Sequence, residues 1–278
     1  MKFHHHITEV IKIRSSCRTY DMQYIEESIL VKLKNFIEEI NQECKNNERF
    51  LIINKKINKK GEKLGTYGVI SGASTFIVGV INSENHDAVR FGYLFEKIIL
   101  FATDLGLQTC WMGGTFKRED FIKKLNLAEN EYVPIVSPLG YKKDKTRILE
   151  VAMRKVVGAN NRKSWKELFF DGSISKALEQ HESGFYATVL EMVRLAPSAS
   201  NKQPWRIIKV KNLYHFYLCR NKGYGIENYD LQKNDIGIAM CHFELTAKEL
   251  GLQGNWFKVE DINVPDDWEY IITWNDRS

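Results

Sequence analysis

Two short segments hold the residues best suited to binding a charged ligand. The first runs from Arg14 to Arg18 and places two guanidinium groups four residues apart, around the hydroxyls of Ser15 and Ser16. Guanidinium forks with nearby hydroxyl donors suit a phosphate group or the anionic edge of a ring. Arginine and serine are also ordinary solvated residues at a helix end, so this segment alone leaves both interpretations open.

The second segment lies between a predicted helix and a predicted strand. Pro197 ends the helix, and Pro204 and Trp205 begin the strand. Small hydroxyl and amide side chains dominate the loop between them, which reads Ser198, Ala199, Ser200, Asn201, Lys202 and Gln203. A loop held between rigid elements is a good place to bind a planar, polar cofactor, and the alternative is a purely structural turn.

A long stretch of the sequence occurs twice, at an offset of 145 residues. Gly92 to Trp111 aligns without a gap on Gly237 to Trp256, and both copies contain Leu-Gly-Leu-Gln. Two amphipathic helices that end at Leu-Gly caps can match by chance. The consecutive identities and the tryptophan in register favour a duplicated half instead. Two such halves can pack across a pseudo-two-fold interface, as the subunits of a symmetric dimer do.

The elements that must position these segments follow from hydrophobic periodicity. Helices are predicted over residues 7–14, 26–41, 89–105, 185–195 and 236–250, and strands over 51–53, 75–81, 133–136, 205–210, 215–218 and 270–273. Residues 138–141 are expected to end the strand at 133–136, and residues 147–171 are expected to form an irregular linker. Because helices and strands do not alternate regularly, and no Gly-x-Gly-x-x-Gly follows a strand, the sequence favours an α+β fold without a Rossmann site.

Composition places the 278-residue chain among ordinary globular proteins, with a formal net charge of +5. The densest lysine cluster, at residues 55–63, has no interleaved aromatic residues, and we interpret it as a solvated loop rather than a nucleic-acid surface. The apolar stretches have the length of strands and are too short to span a membrane. We therefore expect a soluble protein with no membrane or nucleic-acid partner.

The five cysteines are odd in number, scattered and without a Cys-x-x-Cys pair, which is typical of a reducing cytoplasm. Cys17 and Cys110 lie within the candidate segments and could be redox thiols. Neither has a histidine or a second cysteine near it in sequence, so the role of a small buried hydrophobic residue is favoured. No acidic or cysteine partner follows His4, His5 and His6 at ligand spacing, and no metal site is predicted.

Together these segments resemble the motifs of the FMN-dependent nitroreductase family. Arg14, Ser16, Arg18 and Tyr20 match an Arg-x-Ser-x-Arg-x-Tyr/Phe motif, called here the arginine motif. Residues 197–205 match Pro-Ser-x-x-Asn-x-Gln-Pro-Trp, called here the second motif. The resemblance covers most of the chain. It implies a nitroreductase-like α+β fold with two fused halves, residues 1–158 and 159–278, each with a mainly antiparallel sheet flanked by helices.

The distribution of the two motifs departs from the family pattern. Ordinary members carry both motifs in each subunit and build two FMN sites at a dimer interface. Here the first half keeps only the arginine motif, and the second half keeps only the second motif. Because the surviving pieces are complementary, we expect one FMN site per chain between the halves, in a monomer that acts as a pseudo-dimer.

The resemblance also implies which residues hold FMN. The arginine motif would contribute Arg14, Ser15, Ser16 and Arg18. The second motif would contribute Pro197, Ser198, Ala199, Ser200, Asn201 and Gln203. Arg162 matches a late basic residue that the family aims at the phosphate, with a solvated linker arginine as the alternative, and Ser71 is a weaker candidate.

A short glycine segment follows the first copy of the repeated helix. By resemblance, the backbone of Met112, Gly113 and Gly114 would lie beside the flavin N5 atom, where glycine permits close approach to the ring. The second copy reads Phe257, Lys258 and Val259 at the same place. This difference supports a cofactor site on one side only.

The activity implied by the resemblance is oxidoreduction. NADH or NADPH would pass electrons through FMN to a small oxidised acceptor such as a nitroaromatic compound or a quinone. The flavin would carry the chemistry, so no catalytic acid or base is assigned. One alternative is a flavin-binding protein without turnover, acting as a sensor or carrier. Another is a specialised flavin reaction, which would need lid residues that the sequence does not identify.

Overall fold

The computed structural model of the protein describes residues 2–44, 48–54, 65–144, 147–156, 158, 161–226 and 228–278. The lysine cluster predicted to be a solvated loop lies outside these residues. The helices of the described chain are α1 (Ile7–Ile13), α2 (Glu27–Glu43), α3 (Ala88–Asp104), α4 (Arg118–Ile122), α5 (Ile148–Val156), α6 (Trp165–Leu168), α7 (Tyr186–Arg194) and α8 (Leu231–Glu249). Among them, none is both long and apolar enough to cross a membrane.

The strands form two sheets. They are β1 (Arg49–Asn54), β2 (Thr75–Asn82), β3 (Gln108–Thr109), β4 (Glu131–Gly140), β5 (Phe169–Asp171), β6 (Trp205–Val210), β7 (Leu213–Cys219), β8 (Gly254–Phe257) and β9 (Trp268–Asp276). The first sheet has the order β1-β2-β4-β3 and is antiparallel. The second has the order β5-β6-β7-β9-β8, in which only β5 and β6 run parallel. The α+β fold predicted from the sequence is therefore confirmed.

The repeated helices α3 and α8 pack along each other at the centre of the molecule. Helix α3 shares one apolar cluster with β1, β2 and β4, and α8 shares another with β6, β7 and β9. A Cβ at Gly92 would overlap the backbone oxygen of Asn234, and a Cβ at Gly237 would overlap that of Val89. Val89 and Asn234 are themselves 145 residues apart, as the two glycines are. The contact is thus reciprocal, as contacts across a two-fold axis are.

Most predicted elements lie where the sequence places them, but α8 begins earlier than expected. The sequence predicts a start at Ile236, whereas the helix begins at Leu231. Asp230 caps the helix, because its carboxylate accepts the N–H groups of Gln232 and Lys233. The polar first turn of α8 concealed this start, since it interrupts the apolar periodicity on which the prediction relied.

The strand predicted at 133–136 is longer than expected, because β4 runs from Glu131 to Gly140 and includes Pro138, the first of the residues expected to end it. The N–H of Val136 donates to Met112 on the β3 side of the strand, and the nitrogen of Pro138 faces the same edge two residues later. There the ladder is already interrupted, since the Cys110 N–H donates to the side chain of Ser137 at 3.0 Å. A proline is tolerated at a place where no ladder hydrogen bond is required.

The expected irregular linker also contains regular structure. Between residues 147 and 171 lie α5, α6 and the edge strand β5, which pairs in parallel with β6. A reciprocal capping box between Ser164 and Glu167 starts α6. Helix α5 is fixed through Glu150, which accepts the backbone N–H of Arg18 and, at 2.7 Å, the hydroxyl of Thr19. Contacts distant in sequence therefore stabilise a segment whose local pattern is weak.

Candidate functional site

The arginine motif leaves α1 as an extended chain along the edge of the first sheet. Ser16 pairs with Thr109, and the Cys17 N–H donates to the Thr109 carbonyl at 2.9 Å. Further along, Thr19 pairs with Ser71. The backbone of Ser71, the weaker candidate, thereby supports the arginine motif. Its position suggests this structural role. An extended chain held at both ends presents its arginine side chains in fixed places.

The Arg18 guanidinium is only partly satisfied. Its Nε and Nη1 atoms are buried and have no hydrogen-bond partner among the described residues. The backbone of Arg18 is fixed, because its carbonyl accepts from the Arg147 guanidinium at 3.1 Å and from the Ser71 N–H at 3.0 Å. Buried donors without partners are rare in folded proteins, and a bound anion is one of the few groups that satisfies them.

Three further guanidinium groups, from both halves of the chain, lie close together. Burial lowers the pKa of Arg162 to about 10, and the positive charges of Arg14 and Arg194 add to the effect. The Arg162 guanidinium donates to the Asn201 side chain and, at 3.0 Å, to the Leu195 carbonyl, and these bonds orient it. Because converging positive charges repel, a multiply charged anion such as a phosphate would stabilise this cluster.

The loop of the second motif is held in an unusual conformation. Ser200, Asn201 and Gln203 have φ angles of 45°, 57° and 48°, in the left-handed region that residues other than glycine seldom adopt. The Gln203 N–H donates to the Ser198 hydroxyl at 2.8 Å, and the Ala199 N–H donates to the Asp235 carboxylate at 3.1 Å. Strain of this kind persists where surrounding contacts over-determine the backbone, and it is concentrated at binding sites.

The side-chain amides of the second motif bind the chain around Arg162. Asn201 Nδ2 donates to the carbonyls of Gly158 and Asn161 at 2.7 and 2.6 Å. Gln203 is buried, and its Oε1 accepts the Lys163 N–H at 2.9 Å. These two predicted site residues therefore fix the position of Arg162 relative to the loop.

The glycine segment lies where the first half meets the second. Met112 exchanges both backbone hydrogen bonds with Val136 at 3.0 Å and is buried. A Cβ at Gly113 would lie 2.8 Å from the Leu231 side chain, at the start of α8. Because the same helix holds the second motif through Asp235, the glycine segment and the second motif are positioned by one element.

A comparison with protein families shows which family the chain belongs to. The family model described as "Putative TM nitroreductase" matches residues 6–247. The chain belongs to this nitroreductase family. The match includes the arginine motif, the glycine segment, Arg162 and the second motif. No curated protein matches the chain.

One solved structure that covers nearly the whole chain has the same nitroreductase-like fold. A "putative nitroreductase" from Thermotoga maritima is 23% identical, covers 99% of this chain and 96% of its own, and superposes with a TM-score of 0.56. A nitroreductase with bound FMN from Desulfitobacterium hafniense is 21% identical and covers 52% of this chain and 93% of its own, with a TM-score of 0.39. A nitroreductase with bound FMN from Bacteroides fragilis is 21% identical and covers 52% and 92%, also with a TM-score of 0.39.

The second motif and the glycine segment form the two walls of the candidate site. In this member of the nitroreductase family, a loop that the sequence did not single out bridges these walls. The hydroxyl of Tyr224 hydrogen-bonds the Ser200 hydroxyl of the second motif. The Ile226 side chain lies 3.5 Å from the Cβ position of Gly114. The loop between β7 and α8 therefore touches both the second motif and the glycine segment. The signal that could have found it is the tyrosine between Gly223 and Gly225.

Arg194 and Asp235 were also missed as site residues. Arg194 adjoins the second motif and pairs with Glu191 through two hydrogen bonds of 2.7 Å. Asp235 is fully buried beneath the loop, and burial raises its pKa well above the ordinary value. The sequence signal for Asp235 was weak, because this residue follows the polar Gln232, Lys233 and Asn234 and directly precedes the apolar part of α8.

The two motif cysteines are close in space although they are far apart in sequence. Pairing of Ser16 with Thr109 brings Cys17 next to Cys110, and both lie in one buried cluster. Burial raises the pKa of Cys17 to about 11 and also raises that of Cys110. Each of these cysteines therefore has a second cysteine near it in space, although it has none near it in the sequence. The preference for a small buried residue is nevertheless supported, because buried protonated thiols are poorly reactive.

Proposed function

We propose that the protein is an FMN-dependent oxidoreductase that passes electrons from NADH or NADPH to a small oxidised acceptor, such as a nitroaromatic compound or a quinone. The observation that supports this most strongly is the meeting of Arg14, from the arginine motif, with Arg162 and Arg194, from the other half. Guanidinium groups that approach one another from distant parts of the chain favour a binding site over a by-product of local sequence.

The residues present fit the parts of FMN. The guanidinium cluster matches the phosphate, which is its most highly charged group. The buried Arg18 Nε and Nη1 atoms offer further donors within the same motif. The glycine segment provides backbone without side chains for a planar ring to approach. Each part of the cofactor thus has a complementary group in the described chain.

Bound FMN would supply the electron-transfer chemistry, and the protein would bind, orient and enclose it. Arg14 and Arg162 would hold the phosphate, while the second motif and the glycine segment would face each other across the ring. Tyr224 and Ile226 span these two walls and would exclude water from one end of the site. No described side chain is required to act as a proton donor.

Support for one site per chain comes from the position equivalent to the glycine segment in the second half. There the Lys258 ammonium bonds the Ile271 carbonyl and lies 5.5 Å from the Tyr270 ring centre. The side chains of the second sheet therefore occupy the place where the first half offers bare backbone. We infer a fused pseudo-dimer with one retained site, to which the reciprocal packing of Gly92 and Gly237 also points.

The test is reconstitution with excess FMN, followed by the visible spectrum and by counting released flavin per chain. We expect about one FMN per chain. Stopped-flow reduction with NADH and with NADPH would then identify the donor, and reoxidation by a nitroaromatic compound or a quinone would demonstrate turnover. Tight flavin binding without reoxidation would favour a sensor or carrier. Absence of bound FMN would contradict the proposal.

A further inference from the structure

An ionisable pair lies fully buried between the two central helices. Glu96 of α3 and His242 of α8 are both inaccessible to solvent, and Glu96 Oε1 lies 2.9 Å from His242 Nε2. The other carboxylate oxygen, Oε2, accepts the Trp111 indole N–H at 2.8 Å. His242 Nδ1 lies 2.9 Å from the Met192 carbonyl of α7. These contacts join four separate parts of the chain.

The partners fix how many protons the pair holds. A backbone carbonyl can only accept a hydrogen bond, so His242 Nδ1 carries a proton. His242 Nε2 and Glu96 Oε1 then share one further proton, located on either the imidazole or the carboxyl group. In both cases the pair has no net charge, and every polar atom in it has a partner. A fully satisfied buried network of this kind rigidifies the elements that it connects.

The network runs from one wall of the candidate site to the other. At one end, Trp111 immediately precedes the glycine segment at Met112. At the other end, Met192 lies two residues before Arg194 and five before Pro197, where the second motif starts. Three hydrogen bonds therefore connect the backbone of the glycine segment to that of the second motif through the interior of the protein.

The two sides of the pseudo-two-fold arrangement carry different networks. The residues 145 positions from Glu96 and His242 are Cys241 and Lys97. Cys241 is buried in an apolar cluster, and Lys97 pairs with Glu43 at 3.3 Å. Trp256, the equivalent of Trp111, donates its indole N–H to Glu244 at 2.6 Å, and the same oxygen accepts the Tyr93 hydroxyl. Among the described residues, the fully buried pair of a carboxyl group and an imidazole therefore lies only on the side of the glycine segment and the second motif.

We propose that Glu96 and His242 are positioning residues that hold the glycine segment, through Trp111, at a fixed place relative to the second motif. Their role in cofactor binding rests on the proposed function, whereas their effect on the glycine segment does not. Glu96 and His242 need not touch the ligand. Their hydrogen bonds restrict the separation of the two walls before any ligand binds, which lowers the cost of binding it.

The decisive variant replaces both partners with apolar residues, Glu96→Leu together with His242→Leu. Replacing a buried ion pair by apolar groups of similar size is often neutral for stability, so a folded protein is expected. Glu96→Gln is the conservative variant, because its amide oxygen accepts from Trp111 and its amide N–H donates to a neutral His242 Nε2. Cys241→Ala, at the equivalent position of the other side, is the matched control.

The first measurement is amide hydrogen exchange over residues 110–114 in the flavin-free protein. We expect exchange there to accelerate by about tenfold or more in the double variant, and by less than about threefold in Glu96→Gln and Cys241→Ala. Unchanged exchange in the folded double variant would overturn the proposal. If the double variant does not fold, Trp111→Phe takes its place, because it removes the indole N–H that bonds Glu96. Exchange over residues 110–114 no faster in Trp111→Phe than in Cys241→Ala would then overturn the proposal.

The second measurement is FMN affinity and the visible circular dichroism of bound flavin. We expect the affinity of the double variant to fall by about tenfold, the loss typical of one charge-assisted hydrogen bond, with an altered dichroism spectrum. Glu96→Gln should restore both. Wild-type affinity in the double variant would overturn the proposal. If the wild-type protein itself binds no FMN, the proposed function fails, while the exchange measurement still decides the positioning role.

Discussion

Two charged side chains of the candidate site, Arg162 and Asp235, are each held by specific hydrogen bonds. Arg162 is oriented by Asn201 and Leu195, while nearby arginines oppose its charge. Asp235 accepts the backbone N–H of Ala199 in the strained loop, and no cation of the described residues offsets its burial. At the scale of the residue, the candidate site therefore combines neighbouring guanidinium groups, which suit an anionic ligand, with the Asp235 carboxyl group, whose burial favours the neutral form.

The first prediction at this scale concerns Arg162. Replacing it with methionine should lower FMN affinity by roughly tenfold to a hundredfold, the range for loss of a hydrogen bond to a charged group, and should weaken the dependence of affinity on salt. Isothermal titration at two ionic strengths measures both effects. Arg49→Met is the matched control, since Arg49 pairs with Glu131 on the first sheet and lies outside the cluster. Equal losses in the two variants would contradict the prediction.

The second prediction concerns Asp235 and pH. Burial raises the folded pKa of this group above the ordinary value of 3.8. Its contribution to stability is therefore complete below about pH 4 and is lost as the pH rises through the folded pKa. Asp235→Asn keeps an acceptor for the Ala199 N–H without the charge, so it should raise the Tm at pH 7 and lose that advantage near pH 4. Thermal unfolding across this range is the measurement. A Tm difference that does not vary with pH would contradict the assignment.

At the scale of the element, the close crossing of α3 and α8 is the feature on which both walls depend. Helix α3 leads directly into the glycine segment, and α8 presents Leu231 and Asp235 to the two walls. A glycine on each helix lets the backbones touch, since a side chain there would meet main-chain atoms that cannot move aside. Small errors in this crossing would be transmitted to the site.

We predict that Gly92→Ala and Gly237→Ala each destabilise the protein by about 3 kcal/mol, the upper end of the range for an added methyl in a packed interior. The added Cβ would overlap the carbonyl oxygen of Asn234 or Val89. Denaturant unfolding measures the loss. Gly225→Ala is the control, because its Cβ position has no atom within 4 Å and its backbone is not left-handed. A loss at Gly92 no larger than at Gly225 would show that the helices are not in backbone contact.

The loop between β7 and α8 should respond to the ligand because it touches both walls. We predict that FMN slows amide exchange in residues 221–226, and that Tyr224→Phe reduces this protection since it removes the hydrogen bond to Ser200. Hydrogen exchange with and without FMN is the measurement. Residues 265–267, before β9, serve as the control segment. Equal protection of both segments would indicate general tightening rather than closure over the site.

At the scale of the whole molecule, the two sheets are joined through a shared helical interior rather than by a linker. Each central helix packs on one sheet and on the other helix, so separation of the helices would expose the apolar surfaces that they bury against each other. The network of Glu96 and His242 adds a buried polar connection at the same place. Sheets connected in this way are expected to unfold together.

We accordingly predict one cooperative thermal transition, with equal calorimetric and van't Hoff enthalpies, for the flavin-free protein. FMN at a hundred times its Kd should add about 2.7 kcal/mol to the free energy of unfolding and shift the whole transition upward. Differential scanning calorimetry measures both. Two separate transitions, with only one of them shifted by FMN, would show that the halves fold independently and that the site belongs to one half.

Much of the fold could be predicted from the sequence because the strongest patterns are local. The α3 apolar stretch and the β6–β7 hairpin follow from spacing that is decided within a few residues. The missed elements depend on distant partners. Helix α5 is fixed by Glu150 on the arginine motif, and β5 exists only because β6 lies beside it. No local pattern records such partners.

By itself, the sequence determined the residue types that a charged cofactor requires, their division between two halves, and the repeated helix. These are chemical properties of the chain, and they identify the same motifs however it folds. Only the tertiary structure decided that Arg14 meets Arg162, that Tyr224 bridges the walls, and that Glu96 shares a proton with His242. The reason is physical. The charge, burial and strain of a group depend on the neighbours that packing places beside it. Some of those neighbours lie more than a hundred residues away in the sequence.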